Sequence, residues 1–592
     1  MRLIVAIVLW VVSIVSLTWG IAQRTVFDAP DSIVRTISLD NKAPATILRG
    51  NDLLAFPGRP TITISGTIGA RVPAESGVGF EIRKPSELFV AYGRSPDVLA
   101  WLSPTRHTVL SFDALSDSWT ALPRSGELFA PDPRGSDMWL QEFSGTSSLS
   151  LALAAPEDMT VLIMSDGVLP APTDVTITWP VSNDAPLVLA AIIVGVITLI
   201  AGFIAVLTAL VHYRNNKGPR RKKTRMPKRP RRSRTRVAPK RKPAPPRGGR
   251  RVAGFVALPL VGGLLLGGCS PVTTPPAASE VTEAPVLATK PYPAVTELQF
   301  SRIMSSVAAQ IRLADEELSI NLLGPRVQDP MLSTRRTAYI VQRADPESSA
   351  LVPIPSSPIR LVMPQQTTGW PRSVFGIIQD EEDLESPSLG VVLRQEDPRS
   401  QYHLTYAVVL NPQVQLPDLP AANIGAPKLA PDSKLTRISP QDVVAHYSQV
   451  INEGTQSEYA REFSLAADPL FAAIGPDAAL LRQESFGETV EVDWETTPTD
   501  RDVVAFSTAA GGAIVLGTLS EAEKVMPIQS GATINSSIAV RALTSLSQSS
   551  RGFEVDSHIQ ILWYVPPVGS EESIRVLGFT YSLMGAKEVS NE

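Results

Sequence analysis

Leu187 to Val211, LVLAAIIVGVITLIAGFIAVLTALV, runs for 25 residues without a charge, which exceeds the roughly 20 apolar residues needed to cross the hydrocarbon core of a bilayer. A segment like this divides the chain into parts that fold separately on either side of it. Two further apolar runs divide it again. Leu3 to Gln23 is uncharged and apolar enough to span. Val252 to Gly268 has only 17 residues, with five Gly and Pro259 among them, and is closer to the apolar region of a signal peptide than to a spanning helix. At 592 residues the chain exceeds the roughly 250 to 300 residues at which single cores stop growing, so several domains are expected.

Charge is distributed as unevenly as hydropathy. Nineteen of the 54 Lys and Arg fall within residues 214–251, which contain no acid; 35 basic residues then remain against 58 acidic ones, a net −23 for the rest of the chain. The block includes Arg220, Arg221, Lys222, Lys223, Arg225, Lys228, Arg229, Arg231, Arg232, Arg234 and Arg236. Positive charge flanking a span is retained in the cytoplasm, so the C-terminal end of the second span is expected inside and the preceding domain outside. The first span then runs outward, either as a retained anchor or as a signal peptide cut near Gly20-Ile21-Ala22. The third run starts from the inside and leads back out.

These divisions predict residues 1–23 as a transmembrane helix or signal anchor, 24–182 as an extracytoplasmic domain, 186–212 as a transmembrane helix and 213–251 as a cytoplasmic, polybasic, Pro-rich disordered segment. Residues 252–268 form the third hydrophobic segment and 269–291 a Pro/Thr-rich tether. The expected architecture is a multidomain membrane protein: an N-terminal all-β sandwich, transmembrane helices, and C-terminal tandem α+β domains over 292–428 and 429–592.

In the first domain, TITISGTI, ELFVAYG, SLSLALA, MTVLIMS and DVTITWP read as short strands separated by Gly, Pro, Asp and Ser clusters. Ser95 to Leu102, with Pro96 and Asp97, opens a helical turn. In the C-terminal half a helix followed by strands occurs twice. Leu298, Ile303, Met304, Val307, Ala308 and Ile311 make the first apolar stripe, and Val443, Val444, Tyr447, Val450 and Ile451 the second. Ser439 is placed to cap the second helix, with Pro440 at its first position and Asp442 in its first turn. A further helical piece is expected around Ser457 to Phe463. Helix followed by curved antiparallel sheet resembles the cone-shaped NTF2-like fold, which implies a cavity in each half.

The single cysteine, Cys269, follows Leu266, Gly267 and Gly268, behind a basic flank and an apolar run. This order resembles the lipobox of bacterial lipoproteins, although a lipobox normally stands at the start of a chain. The resemblance implies a diacylglycerol thioether on Cys269 and cleavage before it. The chain is therefore similar to an actinobacterial-type integral membrane protein fused to a lipoprotein. The competing reading is a plain third span.

Other residue patterns offer chemistry, each beside a structural alternative. Asp97, Asp137, Glu142 and Asp166 could converge on a cation, but the EF-hand spacing is absent and capping or turn roles compete. Tyr92, Trp101, Trp139 and Trp179 could line a glycan surface or fill a core. Trp370-Pro371-Arg372 and Trp563-Tyr564-Val565-Pro566-Pro567 could edge a pocket. His107, His212, His403, His446 and His558 are scattered, without a zinc-ligand pair. G-x-S-x-G, a P-loop and a dinucleotide fingerprint are missing, and no cofactor is expected.

The expected function is a non-catalytic binding or scaffold protein of the bacterial plasma membrane, multi-pass, with most of its mass outside. Anionic inner-leaflet lipid is the expected contact of the basic block, which lacks the interleaved aromatics of a nucleic-acid binder. Another envelope protein or wall glycan is the expected outer partner. The alternative is an envelope enzyme acting on wall polysaccharide or lipid-linked intermediates.

Overall fold

The structure, a computed structural model, describes residues 2–25, 31–39, 42–65, 88–154, 156–181, 186–215, 291–348, 351–381, 383, 385–412 and 415–590. Leu266 to Cys269 and the basic residues from Arg220 to Arg236 lie outside these. The chain divides into two compact units, one carrying residues 1–29 and 184–287 and the other 30–183 and 288–592.

Among its described residues the first unit consists of α1 (Arg2–Thr25) and α2 (Pro186–Asn215). Both are long and apolar enough to cross a membrane, with mean hydropathies of 2.4 and 2.8. They pack side by side through small residues that let the backbones approach, as is usual between spanning helices. A Cβ on Gly202 would lie 2.3 Å from Trp10, and Ser13 donates a hydrogen bond of 2.7 Å to the Gly195 carbonyl.

The second unit begins with two β-sheets. Strands β1 (Ser32–Ser38), β2 (Ala45–Arg49), β3 (Thr61–Ser65), β4 (Leu88–Arg94), β5 (His107–Asp113), β6 (Ser118–Arg124), β7 (Gln141–Gly145), β8 (Ser148–Ala152), β9 (Met159–Met164) and β10 (Asp174–Pro180) form them. A four-stranded sheet has the order β1-β10-β3-β8, and a six-stranded sheet the order β6-β5-β2-β9-β4-β7. Alternation along β3 and β10 sends Ile62, Ile64, Val175, Ile177 and Trp179 inward, where they meet Leu48, Val90, Leu110, Val161 and Ile163 of the larger sheet. The opposite face of the larger sheet is apolar too. Ile47, Phe89, Ala91, Val109 and Leu162 pack there against Val98, Trp101 and Leu102 of the helix Ser95–Leu102 and against Trp139. A sheet with two apolar faces needs two covers.

The C-terminal part starts with α3 (Glu297–Glu317), whose Thr296 and Gln299 form a reciprocal capping box. Its buried stripe matches the expected one except at one end: Phe300 is buried, whereas Leu298 is 81% exposed. Next come α4 (Met331–Ala344), β11 (Ile359–Pro364), β12 (Arg372–Ile378), β13 (Leu389–Gln395) and β14 (His403–Leu410). The order then repeats with α5 (Pro440–Glu453), β15 (Val490–Pro498), β16 (Val504–Ser507), β17 (Ala513–Pro527), the short α6 (Ile538–Thr544), β18 (Phe553–Val565) and β19 (Arg575–Glu588). Ser439 does precede α5, but its hydroxyl donates to Asp442 instead of accepting a backbone N–H. The piece expected around Ser457 to Phe463 is a single 3₁₀ turn, Ala460–Glu462.

The two helix-then-strand halves share one sheet of ten strands, because β14 of the first pairs with β19 of the second through Val409↔Phe579 and Leu410↔Gly578. α3 covers Val374, Ile378, Val391 and Leu393 of the first half, and α5 covers Val515, Ile559, Ile561 and Trp563 of the second. The alternate residues of the same strands, Phe375, Ile377, Val392 and Tyr406 from one half and Ile514, Leu516, Leu562 and Tyr564 from the other, form a third core that binds the halves together.

Candidate functional site

The second cover of the six-stranded sheet is the C-terminal part of the chain itself. Trp370 packs on the Trp101 and Trp139 cluster, and two ion pairs cross the seam beside it.

At the first, Arg372 of β12 donates from Nη2 to Asp97 Oδ1 at 2.7 Å. The Tyr292 hydroxyl donates to the same oxygen at 2.7 Å and accepts from Arg372 at 3.1 Å. Arg372 Nε reaches the Gly369 carbonyl at 3.1 Å, and its guanidinium lies 3.7 Å from the centre of the Trp370 ring. Both ion-pair side chains are buried, at 1% and 3% exposure. Burial alone would lower the Arg372 pKa, but the Asp97 charge outweighs it and raises it. Burial, reinforced by Asp97, likewise holds the Tyr292 phenol well above its ordinary range. Desolvating two charges is repaid only when supplementary interactions accompany the pair; here Tyr292 bonds Asp97 Oδ1 and Arg94 stands 3.9 Å from Oδ2.

At the second, Arg326 donates to Asp137 Oδ2 at 2.6 Å, and the same oxygen accepts the Tyr402 backbone N–H at 2.8 Å. Gln299 serves both sides of the seam. Its Oε1 accepts from the Thr296 N–H that closes the capping box, while Nε2 faces the carbonyls of Asp137, Met138 and Trp139 at 3.3 to 3.4 Å. Arg399 adds bonds to the Trp101 carbonyl at 3.0 Å and to Thr105 Oγ1 at 2.6 Å. The Tyr402 hydroxyl is buried among these charges without a hydrogen-bond partner, and burial raises its pKa.

Asp97, Asp137, Glu142 and Asp166 therefore do not converge on a cation. Asp97 and Asp137 are committed to arginines, Glu142 accepts the Gly135 N–H, and Asp166 caps its own turn through Val168 and Leu169. Among the described residues no group of three His, Cys, Asp or Glu is placed to hold a metal. Trp101, Trp139 and Trp179 are core residues, with Trp139 and Trp179 donating from Nε1 to the Pro133 and Leu53 carbonyls. Tyr92 is half-buried and bonded to Gln141. Trp563 and Tyr564 lie in buried strand positions of β18. His446 stacks on Tyr459 and pairs with Glu462 at 2.7 Å; burial lowers the pKa of His403 and His558.

Sequence reasoning reached Asp97, Asp137, Trp370 and Arg372 but assigned them to other roles. It missed Tyr292, Gln299, Arg326, Arg399 and Tyr402. One signal was available: an arginine inside an otherwise apolar strand, as in RSVFGII, must find a buried partner.

A multidomain, β-sheet-rich chain with two helices apt to cross a membrane is the class these features define. Residues 291–588 match the family described as Domain of unknown function (DUF8094), and the chain belongs to that family. The match spans both halves of the ten-stranded sheet, whereas Asp97 and Asp137 lie before it. No curated protein and no solved structure matches the chain.

Proposed function

We propose that the chain is a non-catalytic cell-envelope scaffold and binding protein whose two folded domains form one extracytoplasmic body. α1 and α2 hold it in the membrane, Cys269 adds a lipid anchor, and the basic block lies on the anionic inner leaflet. The Asp97–Arg372 seam carries this reading. Domains buried against each other share one side of a bilayer. A spanning α2 takes the chain to the other side, so a return crossing is needed between residues 216 and 290, and 252–268 is the apolar run there. In this reading each helix-on-sheet half is an NTF2-like cone, and the outer partner is an envelope protein or wall glycan.

The test is full-length protein tagged at both ends, blotted after growth with a labelled fatty acid. Two fragments meeting near Cys269 are expected, the C-terminal one carrying label that Cys269→Ser abolishes, and both recovered on the N-terminal tag. A single unlabelled full-length band would overturn the lipid anchor, and fragments that do not co-purify would overturn the single body.

A second reading, an envelope enzyme, draws on Glu521 and Glu523 of β17. The Tyr581 hydroxyl donates to Glu521 at 2.7 Å, and burial pushes Glu523 above the ordinary carboxylate range against the pull of Arg482. Loss of wall-polysaccharide hydrolysis in Glu523→Gln would favour it.

A further inference from the structure

The joint between the two halves of the ten-stranded sheet is short. β14 and β19 pair at two positions, and beyond them the strands part beneath α4 and α6. The space between is a cavity of about 380 Å³, lined by Ala338 of α4, Ala407 of β14, Ala539 of α6, Gln560 of β18 and Thr580 of β19. This lies within the range of small-molecule sites, which tend to form where structural elements diverge.

Gln560 is fully buried on the cavity wall. Its Oε1 accepts the Ala407 N–H at 3.2 Å. A backbone N–H can only donate, so this bond fixes the amide with Oε1 toward Ala407, and Nε2 is left without a partner. Arg335 also lines the cavity. Its Nη1 is paired with Asp315 and its Nη2 with the Val352 carbonyl, yet Nε is buried and unpartnered. Two residues of the wall of this partly open, largely apolar space thus each keep a buried N–H donor without a partner, and the cation among them is already neutralised. Buried donors are ordinarily satisfied, and a pair left over on a cavity wall is the complement of an acceptor oxygen.

We propose that this cavity binds an uncharged small molecule with a carbonyl oxygen on an apolar body, the oxygen accepting from Gln560 Nε2. Apolar surface supplies the bulk of the affinity, and the amide selects carbonyl compounds over hydrocarbons. Asp315 disfavours carboxylates by holding the Arg335 charge. The site deepens the binding part of the function proposed above. Its test leaves membrane anchorage untouched, so either can fail alone.

The full chain in lipid nanodiscs is titrated with 4-phenyl-2-butanone, and with butylbenzene and 3-phenylpropionate as comparators, by saturation-transfer NMR against empty nanodiscs. Saturable binding of the ketone is expected, about tenfold tighter than butylbenzene, the contribution of one net hydrogen bond. Gln560→Leu should bring the ketone down to the butylbenzene level. Ala338→Trp, which fills the cavity without touching Gln560, should abolish binding of both. Ketone binding no tighter than butylbenzene, binding that survives Ala338→Trp, or a preference for the carboxylate would overturn the proposal.

Discussion

Asp97 and Arg372 stand 275 positions apart in the chain and 2.7 Å apart in the fold, on opposite sides of a buried seam. Arg372→Met would leave the buried Asp97 charge with the Tyr292 hydroxyl and the more distant Arg94, 3.9 Å from Oδ2. Losing one member of a buried pair costs about 3–5 kcal/mol. Urea unfolding of the full chain should show this loss, and Asp97→Asn combined with Arg372→Met should be less damaging than the sum of the single changes. Additive effects would mean that the two residues do not interact.

The seam should also work in trans. Residues 1–250 and 269–592, expressed together as separate chains, are expected to co-purify through Arg326, Arg372 and Arg399. Asp97→Asn with Asp137→Asn should abolish recovery while both fragments still accumulate. A pull-down on one tag reads the outcome.

Gly578 tests the joint of the long sheet. A Cβ there would sit 2.3 Å from the Val409 carbonyl oxygen and 2.8 Å from the Leu410 Cα, backbone atoms that cannot swing aside. Gly578→Ala should therefore part β14 from β19 and destabilise the chain by about 1–3 kcal/mol. A second effect should be faster amide exchange at Asn411, whose N–H donates to the Leu577 carbonyl at 2.9 Å across the joint, than at Val391, inside the undisturbed first half.

Acid should weaken the fold through its histidines. Burial, aided by Arg326 for His403 and by Arg501 for His558, lowers both from the ordinary 6.5. Between the folded and unfolded values the unfolded chain binds protons that the folded chain refuses, so this contribution to stability is present above 6.5 and lost as pH falls below it. Urea midpoints at pH 7.5 and 5.5 should move further apart in the parent than in a His403→Gln, His558→Gln variant. Equal movement would show that other groups govern the acid limb.

Periodicity made most of the elements legible. The alternation in DVTITWP and the stripe from Ile303 to Ile311 report which side of a strand or helix meets apolar neighbours, and the structure buries those sides. Leu298 failed because Phe300, two positions and about 200° further round α3, held the inward position. What periodicity cannot report is the partner. Val409 and Phe579 read as two separate strands, and nothing local says that they pair. The seam was hidden for the same reason. A buried Asp97 and an Asp97 capping an exposed helix have the same neighbours in sequence, and only the distant Arg372 distinguishes them.

The order of synthesis gives the seam a consequence in time. The six-stranded sheet, with Trp101 and Trp139 on its uncovered face, is complete long before its cover exists. At about 5–20 residues per second, the 208 positions from Met164, where the last strand of that sheet ends, to Arg372 take roughly 10 to 42 s to make. Throughout that interval an aromatic face and the carboxylates of Asp97 and Asp137, still without Arg372 and Arg326, are open to any passing chain, including another copy's cover. A cell that makes this protein must shield the face during that interval or accept exchanged partners between copies.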